Sequence, residues 1–357
     1  MDELIDLIAI PSTAGRPDDL RRALDLVLAL VGPGFDTRHF TSGGRPSALI
    51  ATPGEPRIIL NAHLDVVPGT PEQFKPQVKG RLLYGRGAHD MKAAAVVMAS
   101  VFRDVAPTLP YPIALQLVTD EEVGGFDGTG HQVAQGVRAG FVVIGEQSAL
   151  EIVTESKGII RARLSATGRT AHAAYPWLGT NALTTITAAV TRLLSRYPVP
   201  ATEEWTTTVN VARVDTPNTA ANVVPDTASA LIDIRFPPSD PDLAGRSPAE
   251  IETHLHTITG VDVTVESLGA PHWADPAAPE VALLRDAARS VGYQGGLLRK
   301  HGSADGRFYS AQGVNAVIFG PAGHGQHGPD EYIDLDSLPP YREALTTFLR
   351  SLPVPTP

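Results

Sequence analysis

A three-layer α/β body interrupted by a ferredoxin-like α+β unit is the fold class this sequence predicts, and three observations predict it. Helix-like and strand-like segments alternate through the first two-fifths of the chain, as expected where helices cover a sheet. Near residue 154 the texture changes to strands in which apolar and polar residues alternate, as in GIIRARLSATG and TASALIDIRF. After about residue 268 the first texture returns. The predicted segments are therefore residues 1–154 and 269–357, which form one body in two parts, and residues 155–268, which form an insertion.

Each element follows from local pattern. The opening MDELIDLIAIPS spaces its apolar residues as a helix does and carries acids where a secretory leader would carry Lys or Arg. DDLRRALDLVLALV (18–31) keeps the helical period, whereas SALIAT (47–52) and RIILNAHLD (57–65) are short β-rich runs. MKAAAVVMASVF (91–102) reads as a helix of small residues suited to close packing on a sheet. IALQLVTD and FVVIGE read as strands buried on both faces. The insertion runs strand 158–168, helix 181–197, strand 206–214, strand 226–236, helix 248–259 and strand 261–267, the β-α-β-β-α-β order of a ferredoxin-like unit. Its alternating strands predict a sheet with one solvated face. A helix at 279–292, the buried strand NAVIFGP and a closing helix at 338–351 complete the body. There is no internal repeat, and the proline-rich tail SLPVPTP is the one low-complexity piece.

Composition narrows the function classes. With 357 residues, 43% hydrophobic and 19% charged, the chain is an ordinary globular protein of two domains, or of one with a large insertion. A net charge of -10 with scattered Lys and Arg argues against a nucleic-acid partner. No apolar run reaches the roughly 20 residues a membrane span needs, so no membrane partner is expected and the expected location is the cytoplasm. The absence of cysteine excludes disulfides and thiolate ligands, so any metal must be held by His, Asp and Glu.

QLVTDEEVGG (116–125) delivers Asp120, Glu121 and Glu122 to the carboxyl end of a buried run, where their mutual repulsion grows as water is excluded. A cation should stand there. ILNAHLDVVPG sets His63 and Asp65 two apart at a strand end, on the same side, as in an imidazole ligand steadied by a carboxylate. A strand-end histidine and a turn aspartate are the alternative. LYGRGAHDMKAAA sets Asp90 just before a helix, where it can equally serve as an N-cap. Glu146 ends the next buried strand in VIGEQS, and GHGQHGPDEYI offers His324 and His327 in a glycine-rich loop. Acids that end buried strands gather at the carboxyl edge of a sheet, where α/β folds place ligands. Taken together, His63, Asp90, Glu122, Glu146 and His327 are the inventory of a two-metal site, with one bridging carboxylate and a His plus a carboxylate closing each ion. Glu121 then remains as general base for a metal-activated water.

In this order the motifs resemble the M20 metallopeptidase family, which includes acetylornithine deacetylases, succinyl-diaminopimelate desuccinylases, aminoacylases and glutamate carboxypeptidases. The resemblance runs from about residue 58 to 333. It implies a zinc-peptidase-like catalytic domain and an inserted lid that also mediates dimerisation. It further implies that His63 is a ligand supported by Asp65, that Asp90 bridges, that Glu121 is the base and Glu122 a ligand, and that Glu146 and His327 complete the two ions. GRTAHAAYPWLGTNAL implies that His172 reaches the substrate carbonyl from the partner subunit, although His172 also reads as a plain loop histidine. NVVPDTASALIDIR implies that Asn222 and Arg235 hold the substrate. An arginine fork suits a free carboxylate, and a solvated strand arginine is the alternative. Arg307, with His301 and Asp305 in KHGSADGRFYS, sits where relatives line the substrate pocket, and a loop salt bridge explains these three as well. His89 stands where the family usually has a small or neutral residue. HGPDEYI after His327 makes it, and not His324, the expected ligand.

The resemblance thus implies a dinuclear hydrolase loaded with zinc, or with cobalt or manganese. It cleaves the amide bond of an N-acyl amino acid or short peptide bearing a free carboxylate, as a deacylase or carboxypeptidase, and works as a homodimer through the lid. One rival is a metal-binding, non-catalytic paralogue that binds a small peptide or amino-acid ligand, and such a protein has no need of Glu121 as a base. Another is a mononuclear hydrolase, which leaves Glu122 or Glu146 without a role.

Overall fold

A computed structural model describes residues 1–353; residues 354–357, the end of the proline-rich tail, lie outside the described residues. The chain divides into two compact units. One comprises Met1–Glu155, His272–Arg299 and the chain from Ala304 onward, and the other Ser156–Pro271 with Lys300–Ser303.

Among the described residues the first unit holds a nine-stranded mixed sheet. Its order is Asp36–Ser42, Arg45–Ala51, Ile113–Val118, Ile58–His63, Phe141–Ile144, Asn315–Ile318, Ile152–Ser156 and His272–Trp273, with Leu297–Lys300 pairing beside Ile152–Ser156. The four strands from Ile113–Val118 to Asn315–Ile318 run parallel to one another, and the strands that flank them on either side are antiparallel. Ile58, Leu60 and Ala62 enter one core together with residues of the helices Pro17–Val31, Ala93–Val105, Pro279–Ser290 and Leu338–Ser351. Ile59 points the other way, into a smaller core with Val133 and Tyr309 from the short helices Thr129–Ala134 and Gly306–Ser310. These are the three layers, and burial on both faces is why the strands read as continuous apolar runs. Each fully buried Leu or Ile contributes about 1.5–3 kcal/mol, so the sheet core dictates where the strand ends lie. Parallel pairing then sends all four carboxyl ends to one edge. His63, the turn at Asp120–Glu122, Glu146 and the loop leading to His327 emerge there.

A second, four-stranded antiparallel sheet joins Gln77–Lys79, Leu82–Tyr84, Tyr332–Asp334 and Gly323–His324, with Tyr84 opposite Tyr332. This sheet was not visible as a pattern, because its strands are two or three residues long. The hairpin partner Asp36–Ser42 was also missed, although Gly43 and Gly44, both at positive φ, mark the two-residue turn that joins it to Arg45–Ala51. The small-residue helix begins at Ala93, two residues later than its pattern, because Asp90 and Met91 have non-helical backbone.

The second unit is an antiparallel sheet in the order Thr208–Asp215, Thr227–Phe236, Gly158–Thr167, Asp262–Gly269, with helices Ala182–Arg196 and Pro248–Thr259. Connectivity and order are those of a ferredoxin-like unit. Ile160, Ala162, Leu164, Ala230, Ile232 and Ile234 face a core that includes Ile186 and Leu255 from the two helices. Asn181 caps the first helix by accepting from the Leu183 and Thr184 amides, and Ser247 with Glu250 closes a capping box on the second. Among the described residues, no helix is long and apolar enough to cross a membrane.

Candidate metal centre

Two groups of side chains in the first unit each bring one ligand atom per residue within 4.8 Å of one another: His63 with Glu121 and Glu146, and Asp90 with Glu122 and His327. Asp90 faces both. Its Oδ1 lies 3.0 Å from His63 Nε2 and its Oδ2 lies 3.2 Å from His327 Nε2, while Glu122 Oε2 is 3.1 Å from the same His327 nitrogen. All five residues expected to bind metal, and the expected base Glu121, fall in these groups.

The backbone explains the convergence. His63 is the last residue of its strand, and its Nδ1 lies 3.0 Å from the Asp65 backbone carbonyl, closer than the Asp65 carboxylate at 3.6 Å. That carboxylate accepts instead from the amides of Glu121, at 3.2 Å, and Glu122, at 3.0 Å. Asp65 therefore supports the imidazole through its carbonyl and the glutamate turn through its side chain. Asp90 caps no helix; its amide and that of His89 donate to Glu331 Oε1 at 3.1 and 3.0 Å. Gln326 donates to Asp90 Oδ2 at 2.6 Å. Gly87 opens this turn at φ 80°, and a Cβ there would meet Val66 at 2.6 Å, so only glycine fits. At Gly320 a Cβ would stand 2.3 Å from the Glu146 carbonyl oxygen, and the missing side chain lets the Glu146 strand end close against its neighbour.

The electrostatics show a cluster short of positive charge. Burial, then the neighbouring Glu146 carboxylate, pushes Glu121 well above the usual range, and burial likewise raises Glu122. Burial opposes the charged form of His63, yet the carboxylates of Asp65 and Asp90 outweigh it and raise that imidazole well above its usual value. Hydrogen bonds to Asp90 and Glu122 raise His327 to about 10. With Glu121, Glu122, His63 and His327 each pushed upward in one cluster, the site demands cations or protons, and these nitrogen and oxygen donors fit divalent metal. Lys92 does not fill that need. It is buried, burial lowers it to about 7, and its Nζ donates to the carbonyls of Leu7 and Ile10 at 2.9 and 2.7 Å. Asp120, pushed up to about 6 chiefly by burial, accepts from the Asp127 amide and belongs to neither group.

The other expected residues are members of neither group. Arg307 is buried, donates to the Gly124 carbonyl and lies over the Phe308 and Phe126 rings. Asp305 is buried, accepts from Thr129 Oγ1 at 2.5 Å and is pushed up to about 7, mainly by burial. His301 belongs to the second unit, where it pairs with Glu203 at 3.0 Å. In that unit His172 is exposed, its Nδ1 accepts from the Ala174 amide at 3.1 Å and its ring lies 5.8 Å from Tyr175. Asn222 is exposed and its carbonyl accepts from the Ala173 amide, tying it to the His172 stretch. Arg235 is engaged by both oxygens of Asp233, at 2.6 and 3.2 Å. His324 sits in the small sheet opposite Tyr332, and His89 is buried against Gly323. Sequence reasoning missed Gln326, Arg86 and Glu331. The signals were the arginine in GRG and the acid in HGPDEYI, each beside an expected ligand.

Comparison with known proteins follows the same lines. Residues 59–351 match Peptidase family M20/M25/M40. The chain is similar to the succinyl-diaminopimelate desuccinylase of Bordetella pertussis, with 30% identity over 377 residues, 99% of this chain and 97% of that protein. Among solved structures it is similar to the M20 family metallo-carboxypeptidase Sso-CP2 from Sulfolobus solfataricus, with a TM-score of 0.79 at 17% identity over 97% of each chain. It is also similar to the Bacillus subtilis YXEP protein, a dinuclear metal binding peptidase from the M20 family, with a TM-score of 0.68 at 14% identity over 98% of this chain and 96% of that one.

Proposed function

Because this chain belongs to peptidase family M20/M25/M40, and is accordingly a metal-dependent hydrolase of amide or peptide bonds, we propose that it is a dinuclear enzyme. Its proposed substrate is an N-acyl amino acid or short peptide bearing a free carboxylate. The observation that carries the dinuclear reading is Asp90, whose two carboxylate oxygens face His63 and His327, one in each ligand group. In this reading His63 and Glu146 hold one ion, Glu122 and His327 the other, and Asp90 both. Bound there, zinc, or cobalt or manganese, would polarise the scissile carbonyl and make water a stronger acid. Glu121 takes the proton of the attacking water and returns it to the departing amine, a role suited to a carboxylate whose surroundings raise its affinity for protons. Asp65 holds the Glu121 amide and so aims this base. In the proposed homodimer, His172 of the partner subunit donates to the developing oxyanion.

Asn222 and Arg235 are the proposed holders of the substrate carboxylate, with Asp233 orienting the guanidinium. Arg307, which also donates to the Gly124 carbonyl, is the proposed further lining of the substrate pocket. The likeness to a succinyl-diaminopimelate desuccinylase supports an acylated, carboxylate-bearing amino acid as substrate. Tyr175, Trp177 and Leu178, 52%, 73% and 57% exposed beside His172, support a homodimer formed through the lid. A cytoplasmic location completes the proposal. The test is a panel of acetyl, succinyl, glutamyl and dipeptide amides, assayed for released amine with zinc-loaded protein, together with elemental analysis. Cleavage of one acyl class and two ions per chain are expected. No cleavage across the panel ends the hydrolase reading, and one ion per chain ends the dinuclear one.

A further inference from the structure

We propose that the buried Arg86–Glu331 pair is a positioning clip for the outer ligand group, Asp90 with Glu122 and His327, and that it sets how tightly the second ion is held. The inference rests on the dinuclear reading above. The two side chains are 4% and 1% exposed, 245 residues apart in sequence, and joined at 2.6 Å from Arg86 Nη1 to Glu331 Oε2. The other Glu331 oxygen accepts from two consecutive amides, His89 at 3.0 Å and Asp90 at 3.1 Å. The other terminal nitrogen of Arg86 donates to the carbonyls of His327, at 3.2 Å, and Gly328, at 3.1 Å. One ion pair therefore grips the backbone on both sides of the Asp90–His327 contact.

On the His327 side, Gln73 also donates to the Gly328 carbonyl at 3.0 Å and the Gly328 amide to the Gly325 carbonyl at 2.8 Å, but neither bond reaches the Asp90 backbone. Asp90 has non-helical φ and ψ, and His327 sits at φ 60° in a glycine-rich loop. Neither lies in a ladder. The inner group differs, because His63 ends a strand paired on both edges and the Gly145 amide, next to Glu146, donates to the Asn61 carbonyl at 3.0 Å. Burying two charges is costly, and an apolar pair could hold the small sheet together as well. What an apolar pair cannot supply is an acceptor for two adjacent amides and a fork for two adjacent carbonyls. The pair thus acts on metal through Asp90 and His327 without touching it, and such outer partners commonly tune affinity.

The experiment is calorimetric titration of zinc into metal-free wild-type, Glu331→Gln and Arg86→Lys proteins, each checked for folding by thermal melting. Wild type should take up two ions. In either variant the outer ion should weaken about 10- to 100-fold, and the inner ion, which shares only Asp90 with the clipped group, distinctly less. At limiting zinc kcat should fall with KM unchanged, and excess zinc should restore it. Adding Glu331→Gln to His327→Ala, which already lacks one of the outer group's three ligands, should cost less affinity than the two single changes summed. Equal weakening of both ions, no weakening, or full additivity in that double variant overturns the clip. A wild type that binds only one ion defeats the dinuclear reading instead, so the two failures are distinguishable. If Glu331→Gln does not fold, Arg86→Lys reads the same quantity.

Discussion

The inner and outer ligand groups use the same chemistry but are built by different means. His63 and Glu146 are 1% and 4% exposed and emerge directly from parallel strands whose positions the apolar core dictates. Asp90 and His327 come from a non-helical turn and a loop, are tied by side-chain bonds, and leave the His327 side chain 48% exposed. The fold itself makes the first group, whereas the second is assembled on top of it. An inner ion should therefore survive changes that an outer ion does not.

The largest expected effect tests whether Glu121 belongs to the inner group as a ligand or only stands beside it as a base. It lies within ligand distance of His63 and Glu146. Glu121→Ala should lower kcat by about 10²–10⁴-fold, the range for a lost general acid–base group, while elemental analysis still finds two ions. Loss of one ion along with turnover would make Glu121 a ligand and leave the inner group with two carboxylates.

Next in size is a direct break of the comparison. Asp90→Ala removes the one residue whose carboxylate faces both groups, so both zinc affinities should fall by more than the about 10–100-fold typical of an outer partner. His327→Ala should weaken only the second ion. If His327→Ala releases both ions equally, the groups are one cooperative site and their different construction has no consequence for binding.

A variant in the second unit sharpens the contrast, since that unit supplies no member of either group. Arg235→Lys keeps a positive charge but loses the fork that Asp233 orients. KM should rise about tenfold, the size of one charge-assisted bond at roughly 1.5 kcal/mol, with metal content unchanged. An unchanged KM for every carboxylate-bearing substrate would remove Arg235 from the site.

The inner group was legible in the sequence because its residues follow buried apolar runs, and a run that ends in an acid or a histidine states its own position. HxD at 63–65, the double glutamate at 121–122 and Glu146 all obey that rule. Asp90 and His327 were found by motif, and their support was not found. Arg86 and Glu331 meet through three short strands and a turn, and nothing local in either segment reveals a partner 245 positions away. Asp65 shows the intermediate case. Parity sets it beside His63, and its carboxylate stands 3.6 Å from that ring, but the same carboxylate accepts from the Glu121 and Glu122 amides, which only the meeting of two parallel strands makes possible.

The smallest expected effect concerns protons, which compete with metal for the same atoms. In metal-free protein His327 is raised from 6.5 to about 10 by its bonds to Asp90 and Glu122. A folded-state value above the unfolded one contributes stability that is fully present below about pH 6.5 and is lost as pH climbs through about 10. His63, Glu121 and Glu122 are raised too, so each also favours the folded state in its protonated form, whereas buried Lys92, lowered to about 7, adds stability as pH climbs above that value. Metal-free wild type should therefore lose more melting temperature between these two pH values than His327→Gln, which keeps Lys92. Because His327 is half exposed, solvent screens its share, and His327→Gln should flatten the decline only in part, leaving the deeper inner group to account for the rest. Zinc-loaded protein has already given up those protons, and its affinity for metal should rise with pH over the same span. A metal-free wild type whose melting temperature follows the same pH course as His327→Gln would mean that the outer group carries its charge balanced without cations, and the inference of a metal centre would lose its electrostatic ground.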